Sequence, residues 1–577
     1  MTELVNGGTL LAQSLESAGV DLAFALHGGH LDSFFAACGD ASIELVDGRH
    51  EAAVGHAAEG YSRVTGRLGV AVVTSGPGFM NGIAALPNAL SDAIPMLMIA
   101  SSPPQGEALT NEMQGGLDQV AAARTVTKWA QRITHVERIP DMVALAVRTA
   151  LSGRPGPVYL ELPIDVLVTE VPTDTVLPAG PTSLDVHPTP SDSSIDKALD
   201  VLREAERPVI IVGGGAQWSN CGDELGKFAE RINAPVFFNS RGFGVLDPEH
   251  PMNGGAVDNF RAFLGTGQGR PDVIVMLGAR AGLFTGGRSG SSLAGSRVIQ
   301  VDIDGSEMGR LGPVELALVG DCGATVRALL TADSRSNHVW PARESWVRSV
   351  TGMAQMMDML LSADLSTVDN RIHPYQAVRE ALLGTGSGAL AVFDGGEAPL
   401  WPMLALPVAP PAKILTLGYM GFIGTGMGFA LGAQAASKGQ RVLQITGDGS
   451  LGFHIQEFDT MVRHGLPIVT VVLNNACWGM SIHGQHAVYG AGNDVITRLS
   501  DTRYDRVAEA FGCYGEHVTD PAEVRPAVER AFASGRPACI NVATSATVVH
   551  PATTMMLGDL EATDEIVIPY YENLRKR

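Results

Sequence analysis

The 577-residue chain is poor in cysteine, in aromatic side chains and in positive charge, and each shortage excludes a class of function. Its six cysteines, Cys38, Cys221, Cys322, Cys477, Cys513 and Cys539, are scattered, with no CxxC and no short paired spacing. That pattern supplies neither a disulfide framework nor a zinc site and suits reduced thiols. Lysine and arginine number 40 against 61 aspartates and glutamates, a formal net charge of −21. So acidic a chain is a poor match for nucleic acid or an anionic membrane surface, and an anionic substrate has to be met by local basic groups. No apolar run reaches the roughly 18 residues that a membrane helix needs. The N-terminus, MTELVNGGTLLAQSLESAGV, lacks the basic stretch and apolar block of a secretion signal. A soluble, cytoplasmic protein is expected. Glycine, in contrast, is abundant at 68 residues, and apolar residues make up 45%, a composition that fits a well-packed α/β protein.

Length alone suggests about three or four domains. Along the chain, short apolar strands alternate with amphipathic helices. In the first block DLAFAL, SIELVDG, LGVAVVTSG, PMLMIAS and PVYLELP read as strands, with helices such as EAAVGHAAEGYSRVTG between them. The second block carries RPVIIVGGG, DVIVMLGAR and RVIQVDID, and the third runs from HPYQAVREALL to ACINVA. Between them, PTDTVLPAGPTSLDVHPTP is rich in Pro, Thr and Asp and has no period, which marks a linker. The expected organisation is therefore three doubly wound parallel-sheet domains in series, at 1–171, 191–340 and 373–545. Linkers fall at 172–190 and 341–372, and residues 546–577 form a C-terminal extension.

One stretch carries a specific chemical signal. The strand RVLQIT runs into Gly447-Asp448-Gly449-Ser450, a helix follows with Phe453, Phe458, Met461 and Val462 at helical spacing, and IVTVVL then ends at Asn474-Asn475. The glycines permit a sharp turn and a close ligand approach, and the helix start offers N–H groups to an anion. A carboxylate (Asp448) and an amide oxygen (Asn475) reach the ends of neighbouring strands, a donor set that suits a hard divalent cation carrying a diphosphate.

This GDGS…NN unit resembles the thiamine diphosphate (ThDP) and Mg2+ motif of the superfamily of pyruvate oxidases, decarboxylases and acetolactate synthases, and the likeness extends over nearly the whole chain. ALHGGH (25–30), DGRHEAAVGHAAEGYSR (47–63), NEMQGGLDQ (111–119), TKWAQR (127–132), GYMGFIGTGMGFALGAQ (418–434) and ACINVA (538–543) look like benzaldehyde lyase. SGPGFMNGIAALPNA and SGRPGPVYLELP are shared with 2-hydroxyacyl-CoA lyases and oxalyl-CoA decarboxylases. The resemblance implies a pyrimidine-binding N-terminal domain, a Rossmann-like middle domain and a diphosphate-binding C-terminal domain, with active sites between subunits of a homodimer or homotetramer.

It also implies roles for residues. Glu51, at a helix start among small apolar residues that should desolvate it and raise its pKa, matches the carboxylate that meets the aminopyrimidine. Asp448, Asn475 and the backbone oxygen of Cys477 would hold Mg2+. Gly396, Gly421, Gly447, Gly449, Ser450, Gly479 and Met480 would surround the cofactor, with Ile423 either its apolar wedge or an ordinary core residue. His30 and Gln114 are the expected substrate-side proton-transfer groups, with His27 undecided. At Ile164, Pro399, Leu417, Met480 and Gly484 the aligned aromatic, histidine or small residues are replaced. The expected pocket is aliphatic, narrowed by Met480 and opened outward at Gly484. A tail longer than that of benzaldehyde lyase puts Met555, Met556 and Leu557 in position to close the pocket. Its basic end, Arg575-Lys576-Arg577, with Arg280 and Gly213-Gly214-Gly215 in the middle block, forms a candidate CoA contact set. The leading expectation is a ThDP- and Mg2+-dependent 2-hydroxyacyl-CoA lyase for short or branched substrates, releasing formyl-CoA with a ketone or aldehyde. The alternatives are a CoA-free acyloin lyase or carboligase and an acetolactate-synthase-like 2-oxoacid carboligase.

Overall fold

Three six-stranded sheets follow one another along the chain, and every strand pairing within them is parallel. The computed structural model describes residues 3–577 except 108–109, 111–112, 115, 185, 283–291, 364, 366, 557–564, 567–573 and 576–577. The first sheet is built from β1 (Leu22–Ala25), β2 (Glu44–Asp47), β3 (Gly69–Val73), β4 (Met96–Ser102), β5 (Trp129–Arg132) and β6 (Pro157–Pro163), in the spatial order 2-1-3-4-6-5. The second contains β7 (Pro208–Val212), β8 (Val236–Phe238), β9 (Asn253–Ala256), β10 (Val273–Leu277), β11 (Arg297–Asp302) and β12 (Leu316–Val319), ordered 9-8-7-10-11-12. That is the doubly wound order of dinucleotide-binding folds. The third has β13 (Leu390–Asp394), β14 (Lys413–Thr416), β15 (Val442–Gly447), β16 (Val469–Asn474), β17 (Tyr514–Val518) and β18 (Ala538–Ala543), ordered 14-13-15-16-18-17. Its topology repeats that of the first sheet. Central strands such as β4 and β16 are buried along their whole length, as crossover helices on both faces require.

The helices that matter for the site are α1 (Glu51–Thr65), α2 (Gly426–Ala436), α3 (Asp448–His454), α4 (Gly479–Tyr489) and α5 (Pro551–Met556). The single helix expected after Gly447 is in fact two, because the chain bends at Ile455-Gln456 before a second helix, Glu457–Arg463. Helices α1 and α2 cross so closely that a Cβ on Gly60 would lie 2.7 Å from Phe429 Cα, which fixes the first domain against the third. At this seam Arg63, buried, donates to Glu59 Oε1 (Nε, 3.0 Å) and to Asp92 Oδ2 (Nη2, 2.7 Å) and lies over the Phe429 ring. One apolar core runs from the first sheet into the third and another from the middle sheet into the third. Residues 341–372 carry two helices, Glu344–Thr351 and Met353–Ser362. Trp346 of the first packs on Phe263 and donates to the Pro208 carbonyl.

Candidate active site

At the carboxyl edge of the third sheet, β13 and β15 lie side by side, while the connections leaving them run to opposite sides. A cavity of about 320 Å³ opens there, lined by Gly395, Gly396, Glu397, Ile423, Gly447–Ser450, Asn475, Cys477–Met480 and the downstream Thr544, Ser545 and Val548. Most residues expected around the cofactor therefore meet in one place. Gly421 does not line it. Gly449 leaves room for the Trp478 ring, because a Cβ there would come within 2.5 Å of it.

The donor chemistry fits a hard cation. Asp448 is 2% exposed, its Oδ2 has no hydrogen-bond partner, and burial pushes its pKa up to about 7. A buried carboxylate in that condition is stabilised by an adjacent positive charge. Asn475 Oδ1 accepts from the Cys477 backbone N–H at 3.3 Å. Burial pushes the Cys477 thiol up to about 12, and it is the backbone oxygen of Cys477 that the resemblance names as a third ligand. Among the described residues no three His, Cys, Asp or Glu side chains converge on a metal position, so a cation here depends on one carboxylate, one amide and backbone oxygen.

The corresponding edge of the first sheet carries the other half of the predicted chemistry. Glu51 opens α1, is 8% exposed, and accepts from Asn81 Nδ2 at 3.0 Å. Thr74, at the end of β3, fills the space between Gly28 and Gly78, and a Cβ on Gly78 would lie 3.4 Å from Glu51 Oε1. The next residue, Ser75, is fully buried and joins two of the predicted residues: His30 Nδ1 lies 2.9 Å from its Oγ, which also donates to Gln114 Oε1. A serine has one hydroxyl proton. With that proton directed at Gln114, Oγ accepts from His30 Nδ1–H, which leaves His30 Nε2 as the basic nitrogen. Gln114 occupies the left-handed region (φ 58°), a conformation with a cost for a non-glycine residue that is characteristic of functional loops.

Several predicted residues lie elsewhere. His27 is exposed, pairs with Asp32 at 2.9 Å and stacks on Phe35. Ile164 opens the short helix Ile164–Val168 and lines neither this cavity nor its neighbours. Pro399 and Leu417 line a separate cavity of about 90 Å³ together with Arg241. Gly484 is buried within α4, next to His483, whose Nε2 meets the Ala546 carbonyl of the C-terminal segment. Arg280 donates to the Ser91 carbonyl at 2.5 Å, lies over the Tyr419 ring and lines a cavity of about 520 Å³. The side chain of Arg575 and all of Leu557, Lys576 and Arg577 lie outside the described residues, as does the side chain of Met555.

Two site residues escaped the sequence reading. Ser75 was hidden in the apolar strand ending TSGPG, where its only signal was a small polar residue before a glycine. Glu397, in GGEAP after β13, is 6% exposed and holds the C-terminal segment in place. It accepts from the His550 backbone N–H and from His483 Nδ1 (2.6 Å), while His483 Nε2 meets the Ala546 carbonyl at 2.9 Å. Burial lowers the His483 pKa, but the Glu397 carboxylate outweighs burial and the net shift is upward. Both ring nitrogens face acceptors, the arrangement of an imidazolium.

Comparison with known proteins gives the same order of three domains. Residues 5–122, 195–329 and 394–542 match the models of the thiamine pyrophosphate enzyme N-terminal TPP binding domain, central domain and C-terminal TPP binding domain, respectively. A probable acetolactate synthase of Mycobacterium bovis is 33% identical over 554 residues, 95% of this chain and 97% of that protein. Oxalyl-CoA decarboxylase of Escherichia coli K12 is 30% identical over 567 residues, 97% of each chain. A 2-hydroxyacyl-CoA lyase of Arabidopsis thaliana is 30% identical over 554 residues, covering 93% of this chain and 95% of that one.

Proposed function

The chain belongs to the thiamine pyrophosphate (thiamine diphosphate) enzymes, and from that premise we propose that it is a Mg2+-dependent carbon–carbon lyase that cleaves a short or branched 2-hydroxyacyl-CoA. Products are formyl-CoA and a ketone or aldehyde. The observation that carries this reading is the His30–Ser75–Gln114 chain, because cleaving beside a 2-hydroxyl needs a base for that hydroxyl proton.

Asp448, Asn475 and the Cys477 backbone oxygen would hold Mg2+, and Gly449 with Ser450 would face the diphosphate. Bound ThDP supplies a carbon nucleophile and an electron sink. Glu51, shielded from water, would hold a proton at the aminopyrimidine ring, with Asn81 fixing the carboxylate. His30 takes the substrate hydroxyl proton on Nε2, while Ser75 and Gln114 keep the ring in the tautomer that leaves Nε2 free. The Glu397–His483 pair fastens residues 546–550, of which Val548 lines the cavity.

Among the described residues the cavity at Asp448 is lined by residues between Pro374 and Val548, and neither Glu51 nor His30 lines it. Met80, Met420 and Phe453 are large apolar side chains 46–50% exposed. Both facts support a second copy of the chain completing each site in a homodimer or homotetramer.

CoA as the carrier is supported by the 30% identity to two relatives named for CoA substrates and by three arginines, Arg154, Arg241 and Arg280, that line one crevice between the first and middle domains. A second reading, 2-oxoacid carboligation of the acetolactate synthase type, is favoured by the 33% relative. The purified protein with ThDP and Mg2+, offered 2-hydroxyisobutyryl-CoA, benzoin and pyruvate in parallel, decides between them. Formyl-CoA from the first substrate alone is the expected result. Acetolactate from pyruvate, or benzoin cleavage without CoA turnover, overturns the lyase reading.

A further inference from the structure

The loop that carries Ile423 runs from Leu417, after β14, to Thr425, before α2. Gly418, Gly421 and Gly424 all lie in the left-handed region (φ 77°, 67° and 87°), so the backbone has little stiffness of its own there. Its first half is held from the first domain, where Asp92 accepts from the Tyr419 backbone N–H at 3.1 Å. Its second half reaches the cavity at Asp448, which Ile423 lines.

Two buried side chains grip Gly424, the residue after Ile423, one by its N–H and one by its carbonyl. Asp394, at the end of β13 and 1% exposed, accepts from the Gly424 N–H at 3.1 Å and from the Gly426 N–H at 2.8 Å. His454, 7% exposed, meets the Gly424 carbonyl through Nδ1 at 2.7 Å. Glycine is what lets the loop come so near, because a Cβ on Gly424 would lie 2.6 Å from Phe453 Cβ. Burial holds the His454 ring at about 4, so it is neutral near pH 7. Facing a carbonyl, the neutral ring carries its one proton on Nδ1 and donates it. His454 is also the last residue of α3, whose first residue is Asp448. The same short helix thus begins at the proposed cation position and ends on the loop that carries Ile423. No step assigned above to Glu51, His30 or the cation uses this imidazole.

We propose that His454 is a positioning residue, holding Ile423 through Gly424 at one place in the cavity wall, against the bound cofactor. This rests on the cavity being the ThDP site and not on the identity of the acyl substrate. Released on the carbonyl side, a loop this rich in left-handed glycine spreads Ile423 over several positions. Misplacing a group beside reacting atoms by about 1 Å costs up to about 10²-fold in rate.

The test compares three substitutions of similar size at one position. His454→Asn keeps an amide N–H where Nδ1 stood, His454→Leu keeps the shape without a donor, and His454→Gln puts the amide one bond too far. Three quantities are read: amide hydrogen exchange of Gly424 and Gly426 in the cofactor-free protein, ThDP–Mg2+ affinity by calorimetry, and C2-proton exchange of the bound cofactor by NMR. His454→Leu should open the Gly424 and Gly426 amides about tenfold more often, the scale of one hydrogen bond. It should slow C2 exchange by about tenfold and leave cofactor affinity within about threefold. His454→Gln should follow His454→Leu, and His454→Asn should stay near wild type in all three. Ile423→Ala should slow C2 exchange to a similar degree, and His454→Leu added to it should contribute little more. Equal behaviour of the Asn and Leu variants overturns the proposal, as does a loss of cofactor affinity as large as the loss in exchange rate. Wild-type C2 exchange in Ile423→Ala overturns it too. Should His454→Leu fail to fold, a wild-type result in His454→Gln is sufficient to overturn it. No readout uses an acyl substrate, so failure here leaves the lyase reading standing, and failure of the lyase reading leaves these outcomes unchanged.

Discussion

The first and third sheets have the same strand order, 2-1-3-4-6-5 when each is counted from its own first strand, and both place their chemistry outside the ends of the first and third strands. That is where an open α/β sheet leaves a crevice, because the connections from neighbouring strands diverge. The contents differ. In the third sheet the position after the third strand is Asp448, a buried carboxylate with an unpartnered oxygen. In the first it is Thr74-Ser75, a buried hydroxyl bonded to an imidazole and an amide. On the proposed reading, one scaffold supplies an anchor for charge in one copy and a proton-handling chain in the other. Function resides in the residues grafted onto the crevice and not in the topology that forms it.

If that division is right, damage to the two crevices should have different signatures. The largest effect is expected from Asp448→Ala. Removing the one carboxylate from the cation position should weaken ThDP–Mg2+ binding by about 10³-fold, several kcal/mol of charge stabilisation. Calorimetric titration of the cofactor checks this, and retention of tight binding would break the assignment of the third sheet as anchor. Glu51→Gln should do the opposite, holding the cofactor within about threefold while slowing exchange of its C2 proton by about 10²–10⁴-fold. Proton NMR of the bound cofactor reads that rate. Ser75→Ala should lower kcat by about tenfold with a smaller change in KM, the cost of releasing one hydrogen-bonded orienting group. Paired with His30→Ala it should add little further, since both changes disable one unit. Full additivity would show that the two side chains act separately.

The same comparison explains what could be read from the sequence. Buried central strands such as β4 and β7 carry continuous runs of five apolar residues, MLMIA and PVIIV, as a parallel sheet covered on both faces requires. Edge strands gave no such signal: Asn253–Ala256 and Trp129–Arg132 are four residues long and partly polar or glycine-rich. The third sheet's site was legible because its ligands lie within one strand–helix–strand unit at fixed spacing. His30, Ser75 and Gln114 are joined only by folding, so His30 and Gln114 were found by resemblance and Ser75 not at all. The surroundings of Gly484 were not legible either, because the glycine is buried beside His483, whose bonds to Glu397 and to the Ala546 carbonyl join elements far apart in the chain.

That fastening gives the smallest effect and the one confined to the third domain. The His483 pKa is raised in the folded protein, so the stability it contributes is fully present below the unfolded value of about 6.5. It is lost as pH rises through the folded value, because the neutral imidazole can no longer donate to both Glu397 and the Ala546 carbonyl. His550, by contrast, is held by burial at about 4 and stays neutral throughout that window. Opening of residues 546–556, read by hydrogen exchange, should therefore be least frequent below about pH 6.5. After correction for the intrinsic pH dependence of exchange, opening should become a few-fold more frequent above the His483 titration, on the order of 1 kcal/mol. His483→Gln should remove the pH dependence while leaving exchange in β3 and α1 of the first domain unchanged. Protection that rises with pH, or a change that spreads equally to α1, would mean that the segment is not held by this pair and that the two crevices are coupled more tightly than their separate chemistries require.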